Sequence, residues 1–225
     1  MNTPKRVLIP GAGGPGAVNM TRSLLEAPEP VFMVGCDASE YYIHLALTQV
    51  RAIVPRASEE DAYIDAIINI CRRHDINFIY PNSSLEMMVL TRHKDRLPAP
   101  LFVPSLDTQE VAASKWLTWQ RWSEAGIPLP MTIPIDGPDD IERAFDEIPT
   151  RPIWFRGAGI PGKGVGMAAL PCRKSIEALG WIEFHDGFGH FIASEYLPGA
   201  NLTFMGLYRD GELITSQGRE RLLYV

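Results

Sequence analysis

Cysteine is scarce: the 225-residue chain has three, Cys36, Cys71 and Cys172, with no CxxC pair and no even set. A disulfide framework is therefore excluded, and buried free thiols in a reducing cytoplasm are expected. No block of five basic residues occurs, and 27 acidic residues outnumber 21 basic ones for a net charge of −6. That balance argues against nucleic acid or an anionic membrane as the main partner. No apolar run approaches the roughly 18 residues of a membrane-spanning helix. Met1–Arg6 leads straight into a strand pattern, so no signal peptide is expected. Internal repeats and low-complexity segments are also missing. What remains is ordinary globular composition, 46% hydrophobic and 21% charged, enough for one sizeable core or two small ones.

The first hundred residues alternate short apolar runs with amphipathic stretches. Val7–Pro10, Val31–Val34, Ala52–Val54, Phe78–Tyr80 and Leu101–Val103 read as strands, and none alternates with polar residues. Between them Ala17–Glu26, a short helix capped by Ser39, Glu59–His74 and Leu85–Arg96 read as helices. In the third, Tyr63, Ile67, Ile70 and Cys71 share one face. Continuous apolar strands separated by helices predict a parallel sheet covered on both faces, a doubly wound α/β domain over 1–105. A boundary is expected near Pro104. Asp107 with Glu110 resembles a capping box, and Ser114 starts a helix over Lys115–Ala125 that stops at Gly126. Trp116, Trp119 and Trp122 at spacing three are expected to pack that helix against a sheet.

The second half, 106–225, reads as α+β. Strands are predicted at Met131–Ile135, Ile153–Phe155, Met167–Leu170 and His190–Leu197, with helices over Asp140–Ile148 and Lys174–His185. Asn201–Tyr208 and Glu212–Ser216 flank Asp210-Gly211, a strong hairpin signal. The sequence stops within an apolar, strand-like run, Leu222–Val225. Such an edge needs cover, so the expectation is a longer parent sequence, with self-association as the other outcome.

Three places could carry chemistry. Gly11, Gly13 and Gly16 follow a strand and open a helix, and Asp37 lies 21 residues beyond Gly16 at the tip of the second strand. This is the dinucleotide fingerprint, in which glycines admit a pyrophosphate and the acid holds a ribose hydroxyl. The same turn also serves simply to pack helix on sheet, and Pro15 removes one backbone donor from it. The second place is Arg156–Gly166, RGAGIPGKGVG, with five glycines, Arg156 and Lys163 between two strands. Its order departs from that of the common nucleotide-triphosphatase loop, yet glycine amides and two cations favour an anion. The third is Ser194–Asn201, SEYLPGAN, a hinge whose backbone groups could pair with an adenine edge. His185 and His190 flank a loop that reads as solvated rather than metal-binding.

In this order the three features resemble the ATP-grasp superfamily, in particular proteins similar to the large chain of carbamoyl-phosphate synthase. VLIPGAGGPGAVNMTRSL, CDASEYYIHLA and IYPNSSLEMMVL resemble the Rossmann-like pre-ATP-grasp domain. SKWLTWQRWSEAGIPLPMT, PIWFRGAGIPGKGVGM and FIASEYLPGANLTFMGLYRDGEL resemble the approach to the lid, the glycine-rich flap and the adenine hinge. The resemblance implies a lid subdomain over about 127–197 and the start of a large subdomain over 198–225. It implies that Lys115 touches the α-phosphate of ATP and Arg156 the α- and β-phosphates. Gly157, Gly159, Gly162, Lys163, Gly164 and Gly166 would close over the β- and γ-phosphates. Glu195 with the backbone of Tyr196 and Leu197 would meet adenine. Asn201 stands where the family commonly has the Glu that binds ribose. Arg219 and Arg221 would lie near an acyl phosphate as catalytic residues, and Gly13, Gly14 and Glu86 would contact the acceptor substrate.

The resemblance implies an ATP-dependent carboxylate–amine ligase that is catalytically incomplete here. The family's Mg²⁺ ligands would fall after Val225, so this chain assigns no metal ligand. Its partners would be ATP and an unidentified small carboxylate or amine, with no nucleic acid and no membrane. Two other readings stay open: an NAD(P)-binding oxidoreductase using the first glycine turn, and a non-catalytic ATP-binding or partner module.

Overall fold

The computed structural model describes residues 5–159, 169–185 and 187–222. They cluster into two compact units, each with its own sheet and core. The first runs through Ile127 and takes in Ala158 and Gly159; the second takes Pro128–Gly157 and the described residues from Ala169 onward. Among the described residues no helix is long and apolar enough to cross a membrane.

The first unit is built on four parallel strands in the order β3-β2-β1-β4, where β1 is Lys5–Pro10, β2 Val31–Asp37, β3 Val50–Ile53 and β4 Phe78–Ile79. Helices α1 (Pro15–Leu25), α2 (Glu60–Arg73) and α3 (Ser84–Arg92) follow strands β1, β3 and β4. Successive residues of β1 feed opposite cores, as the strand period demands. Val7 and Ile9 join Ala12, Ala17, Met33 and Ile43 on one face. Leu8 joins Val34, Tyr63, Ile64, Ile67, Ile79 and Leu90 on the other. Burial of each such side chain is worth about 1.5–3 kcal/mol, so the sheet is clamped from both sides. Cys36, Cys71 and Cys172 are free and buried.

Three local expectations are corrected here. Leu101–Val103 is not a strand; Leu101 makes only an isolated parallel bridge to Ile79. Pro98, Pro100 and Pro104 crowd that segment and remove the donors a ladder needs. Helix α4 (Leu106–Ala113) is capped by Ser105, whose side chain accepts the Thr108 N–H, and not by Asp107. Helix α5 (Lys115–Glu124) buries none of its residues. Trp116 and Trp119 stack on each other, 5.1 Å apart and 6° from parallel, while Trp122 stays half-exposed.

The second unit carries an antiparallel sheet in the order β5-β8-β6-β7: β5 Thr132–Ile135, β6 Ile153–Gly157, β7 Ala169–Cys172 and β8 Phe191–Glu195. Ile153 and Phe155 point to one face, where α6 (Pro138–Glu147) supplies Phe145, its ring 6.0 Å from that of Phe155. Buried Ala178 and Ile182 of α7 (Ser175–Phe184) belong to the same core. Alternation sends Trp154 and Arg156 to the opposite face. A separate hairpin pairs β9 (Asn201–Arg209) with β10 (Glu212–Arg221). Its turn has positive φ at both Asp210 and Gly211, 52° and 84°, as a tight Asp-Gly hairpin requires. The final run Leu223–Val225 lies outside the described residues.

Candidate functional site

At the carboxyl ends of β1 and β4 the first glycine turn meets a cluster of polar side chains. Gly14 is the N-cap of α1, and Pro15 sits at its first position, where the missing N–H costs nothing. Asp37 is buried, but both of its oxygens are committed. Oδ2 accepts the Gly13 N–H at 3.1 Å and Oδ1 accepts the Ser39 N–H at 2.9 Å. A side chain at Gly13 would enter the backbone carbonyl of Tyr42. The space that the second glycine of a dinucleotide loop keeps open for pyrophosphate is thus filled by this chain's own 3₁₀ turn, Tyr42–Leu45. The glycine turn packs against that 3₁₀ turn.

Glu86 is partly buried and held by two hydroxyls. Its Oε1 accepts the Tyr63 hydroxyl at 3.1 Å and its Oε2 the Ser83 hydroxyl at 2.8 Å, while Ser83 caps α3 through the Glu86 N–H. The same Oε2 lies 2.7 Å from where a Gly11 side chain would begin, and the φ of +62° favours glycine at Gly11. Asn82 donates its amide to the Pro10 carbonyl at 3.2 Å. Burial pushes the Glu86 carboxyl up from its ordinary value and Asp37 adds to the rise, against the hydrogen bonds from Ser83 and Tyr63. Burial likewise raises the Tyr63 phenol. A carboxyl whose folded pKa is raised holds its proton where the unfolded chain has lost it. Its contribution to stability is present below the unfolded value and fades as pH rises through the folded one. Thermal unfolding of Glu86→Gln should therefore show its stability relative to wild type rising as pH increases above the ordinary carboxyl range. A pH-independent difference would count against the raised pKa.

Between α4 and α5 the chain is extended at one residue only. Ser114 ends α4 and caps α5, its φ −100° and ψ 119°, with its hydroxyl accepting the Leu117 N–H at 3.2 Å. That break sets Lys115 at the first position of α5. The Lys115 N–H, one of the donors a helix start leaves over, bonds to the Ala158 carbonyl at 2.7 Å.

In the second unit Arg156 faces away from the helix-covered side of its sheet. Its Nε is buried without a hydrogen-bond partner, and no described carboxylate pairs with its guanidinium. Burial lowers its pKa, so the charged form is held at a cost. A half-buried cation without a counter-ion fits an anion, and a nucleotide phosphate is of that class. Glu195 accepts the Met131 N–H through Oε2 at 2.7 Å, and its own N–H donates to the Met131 carbonyl at 3.0 Å. The Tyr196 N–H donates to Thr150 Oγ1 at 3.1 Å. Glu195 and Tyr196 are thereby anchored, and Leu197 follows them, exposed. Asn201 and Arg221 stand opposite each other across the hairpin, with Arg219 opposite Thr203. Gly157 ends β6 and Gly159 is described, whereas Gly162, Lys163, Gly164 and Gly166 lie outside the described residues.

Sequence reasoning missed Thr150, Met131 and the ring pair Trp154–Tyr196, whose centroids are 6.2 Å apart. Strict alternation in Ile153–Gly157 was the available signal that Trp154 shares a face with Arg156. Among the described residues no group of three or more His, Cys, Asp or Glu could hold a metal.

No protein-family model matches the sequence, and no curated protein matches it. Solved structures share its fold. Carboxyaminoimidazole ribonucleotide synthase from Aspergillus clavatus, complexed with ATP, is 11% identical with a TM-score of 0.70, over 98% of this chain and 55% of that one. L-amino acid ligase from Bacillus licheniformis is 14% identical, TM-score 0.62, over 95% of this chain and 49% of that one. The biotin carboxylase domain of Hydrogenobacter thermophilus 2-oxoglutarate carboxylase, solved with MgADP, ADP and bicarbonate, is 16% identical. Its TM-score is 0.57, over 91% of this chain and 47% of that one. The chain spans about half the length of these structures. All three belong to the ATP-grasp superfamily, and at these identities the likeness is one of fold.

Proposed function

We propose that this chain is the nucleotide-binding portion of an ATP-dependent carboxylate–amine ligase of the ATP-grasp kind, akin to the large chain of carbamoyl-phosphate synthase. Residues 1–105 would be the pre-ATP-grasp domain and 106–225 the first part of the ATP-grasp domain. The observation that carries the reading is Arg156, a half-buried guanidinium with an orphaned Nε at the end of the strand that opens the glycine-rich segment. Lys115 would meet the α-phosphate and Arg156 the α- and β-phosphates. The Leu197 backbone would face adenine and Asn201 the ribose hydroxyls. In the parent reaction a carboxylate oxygen takes the terminal phosphoryl group of ATP, releasing ADP. An amine then attacks the acyl carbon and phosphate leaves. Arg219 and Arg221 would lie by that acyl phosphate. Gly14 and Glu86 would face the small acceptor, and Gly13 would instead serve as packing for the turn beside it. A cytoplasmic location belongs to the same reading.

Calorimetric titration of the chain with ATP–Mg²⁺, and separately with NADH, tests it. ATP should bind, and Lys115→Ala should weaken binding at least about tenfold through loss of a charge-assisted phosphate contact. Binding of NADH in place of ATP would overturn the reading.

A further inference from the structure

The segment just beyond β6 is held to the start of α5 by more than the bond from Lys115 to Ala158. Gly159 is buried with φ +83°, and a side chain there would begin 2.5 Å from the Ala113 carbonyl oxygen and 2.9 Å from the Lys115 ammonium. The Gly159 α-carbon therefore forms one wall of the slot in which Lys115 lies. The Ala113 carbonyl, at the end of α4, forms the neighbouring wall. Ser114, buried and fixed by its cap, sets the angle at which Lys115 enters. A lysine has a long stem with several rotatable bonds and pays entropy to be held in one place.

From this geometry we infer that Gly159 is a positioning residue for Lys115, its missing side chain leaving the slot that aims the Lys115 ammonium at a nucleotide phosphate. The inference rests on the ATP reading above, and it changes the role of Gly159 from closing over phosphate to setting the lysine. It concerns residues 113–115 and 158–159 alone. Because Lys115 is assigned to the α-phosphate, ATP and ADP should feel the slot equally. An alanine at Gly159 would also be strained by its positive φ, so a second variant is needed that leaves the backbone alone. Lys115→Arg keeps the charge but places a broad planar guanidinium where a compact ammonium fits.

The experiment combines nucleotide titration with NMR of the chain labelled at lysine Cε, the Lys115 signal being assigned by its loss in Lys115→Ala. Gly159→Ala should move the Lys115 signal and weaken ATP and ADP alike by about tenfold. It should add no more than about twofold in the Lys115→Ala background, because coupled residues are non-additive. Lys115→Arg should also bind ATP about tenfold more weakly despite its charge. An unmoved Lys115 signal, additive losses, or wild-type affinity in Lys115→Arg would each overturn the inference. If Gly159→Ala proves unfolded by circular dichroism, the Lys115→Arg titration decides. If the wild-type chain binds neither nucleotide, the ATP reading fails and this inference with it.

Discussion

Replacing Gly13 with alanine is expected to destabilise the first unit by about 3 kcal/mol or more, the upper range for overpacking a site that cannot relax. The added methyl would enter the Tyr42 carbonyl. Backbone cannot rotate aside as a flexible side chain can. The 3₁₀ turn that would have to retreat is tied at the Ile43 N–H to the Ser39 carbonyl and carries buried Ile43 in the core beside β1. Moving it would also pull on Ser39, whose N–H is one of the two that Asp37 holds. Urea unfolding followed by far-ultraviolet circular dichroism measures the loss. A dinucleotide cradle predicts the opposite pattern, a chain that folds as before and has lost only its cofactor. A Gly13→Ala protein of wild-type stability would therefore return Gly13 to a ligand-binding role and reopen the NAD(P) reading.

The alternation of elements in the first unit was legible because it rests on local chemistry. Apolar strands and amphipathic α2 each signal within a few residues, as does the Asp-Gly hairpin of the second unit. What escaped depends on residues far apart in sequence. GxGxxG with an acid about 20 residues on is the same string whether the acid faces ribose or backbone. Only the fold shows that Asp37 reaches back 24 residues to the Gly13 N–H and that Tyr42 fills the gap. Likewise only the fold shows that Glu86 accepts the hydroxyl of Tyr63, 23 residues away. The tryptophan stripe of α5 had core spacing, but periodicity names a face without saying what meets it. The residues of the proposed nucleotide site were legible by type and order. Their state was not: that the Arg156 charge lacks a partner among the described residues, or that Tyr196 is anchored by Thr150 from 46 residues away, is visible only in three dimensions.

Arg156→Met should separate function from stability in one protein. An arginine kept for structure makes bonds in the fold, and removing it leaves its partners unpaired, at about 3–5 kcal/mol for a buried pair. Among the described residues Arg156 has no such partner to strand. Its Nε is buried without an acceptor, no described carboxylate pairs with it, and burial lowers its pKa. Methionine keeps most of the unbranched apolar stem against the sheet while removing a charge the fold does not compensate. The second unit should then be as stable as wild type or more stable by about 1 kcal/mol, as is usual where a site holds a residue for its ligand. ATP binding should fall at least about tenfold, or about 1.4 kcal/mol, with Arg156→Lys recovering part of it as a point charge. Urea unfolding and calorimetric titration of the same preparations supply both numbers. Lost stability with unchanged ATP affinity would make Arg156 a structural residue and remove the main support for a nucleotide site. Gained stability with lost affinity is the signature of a cation held in place for a phosphate.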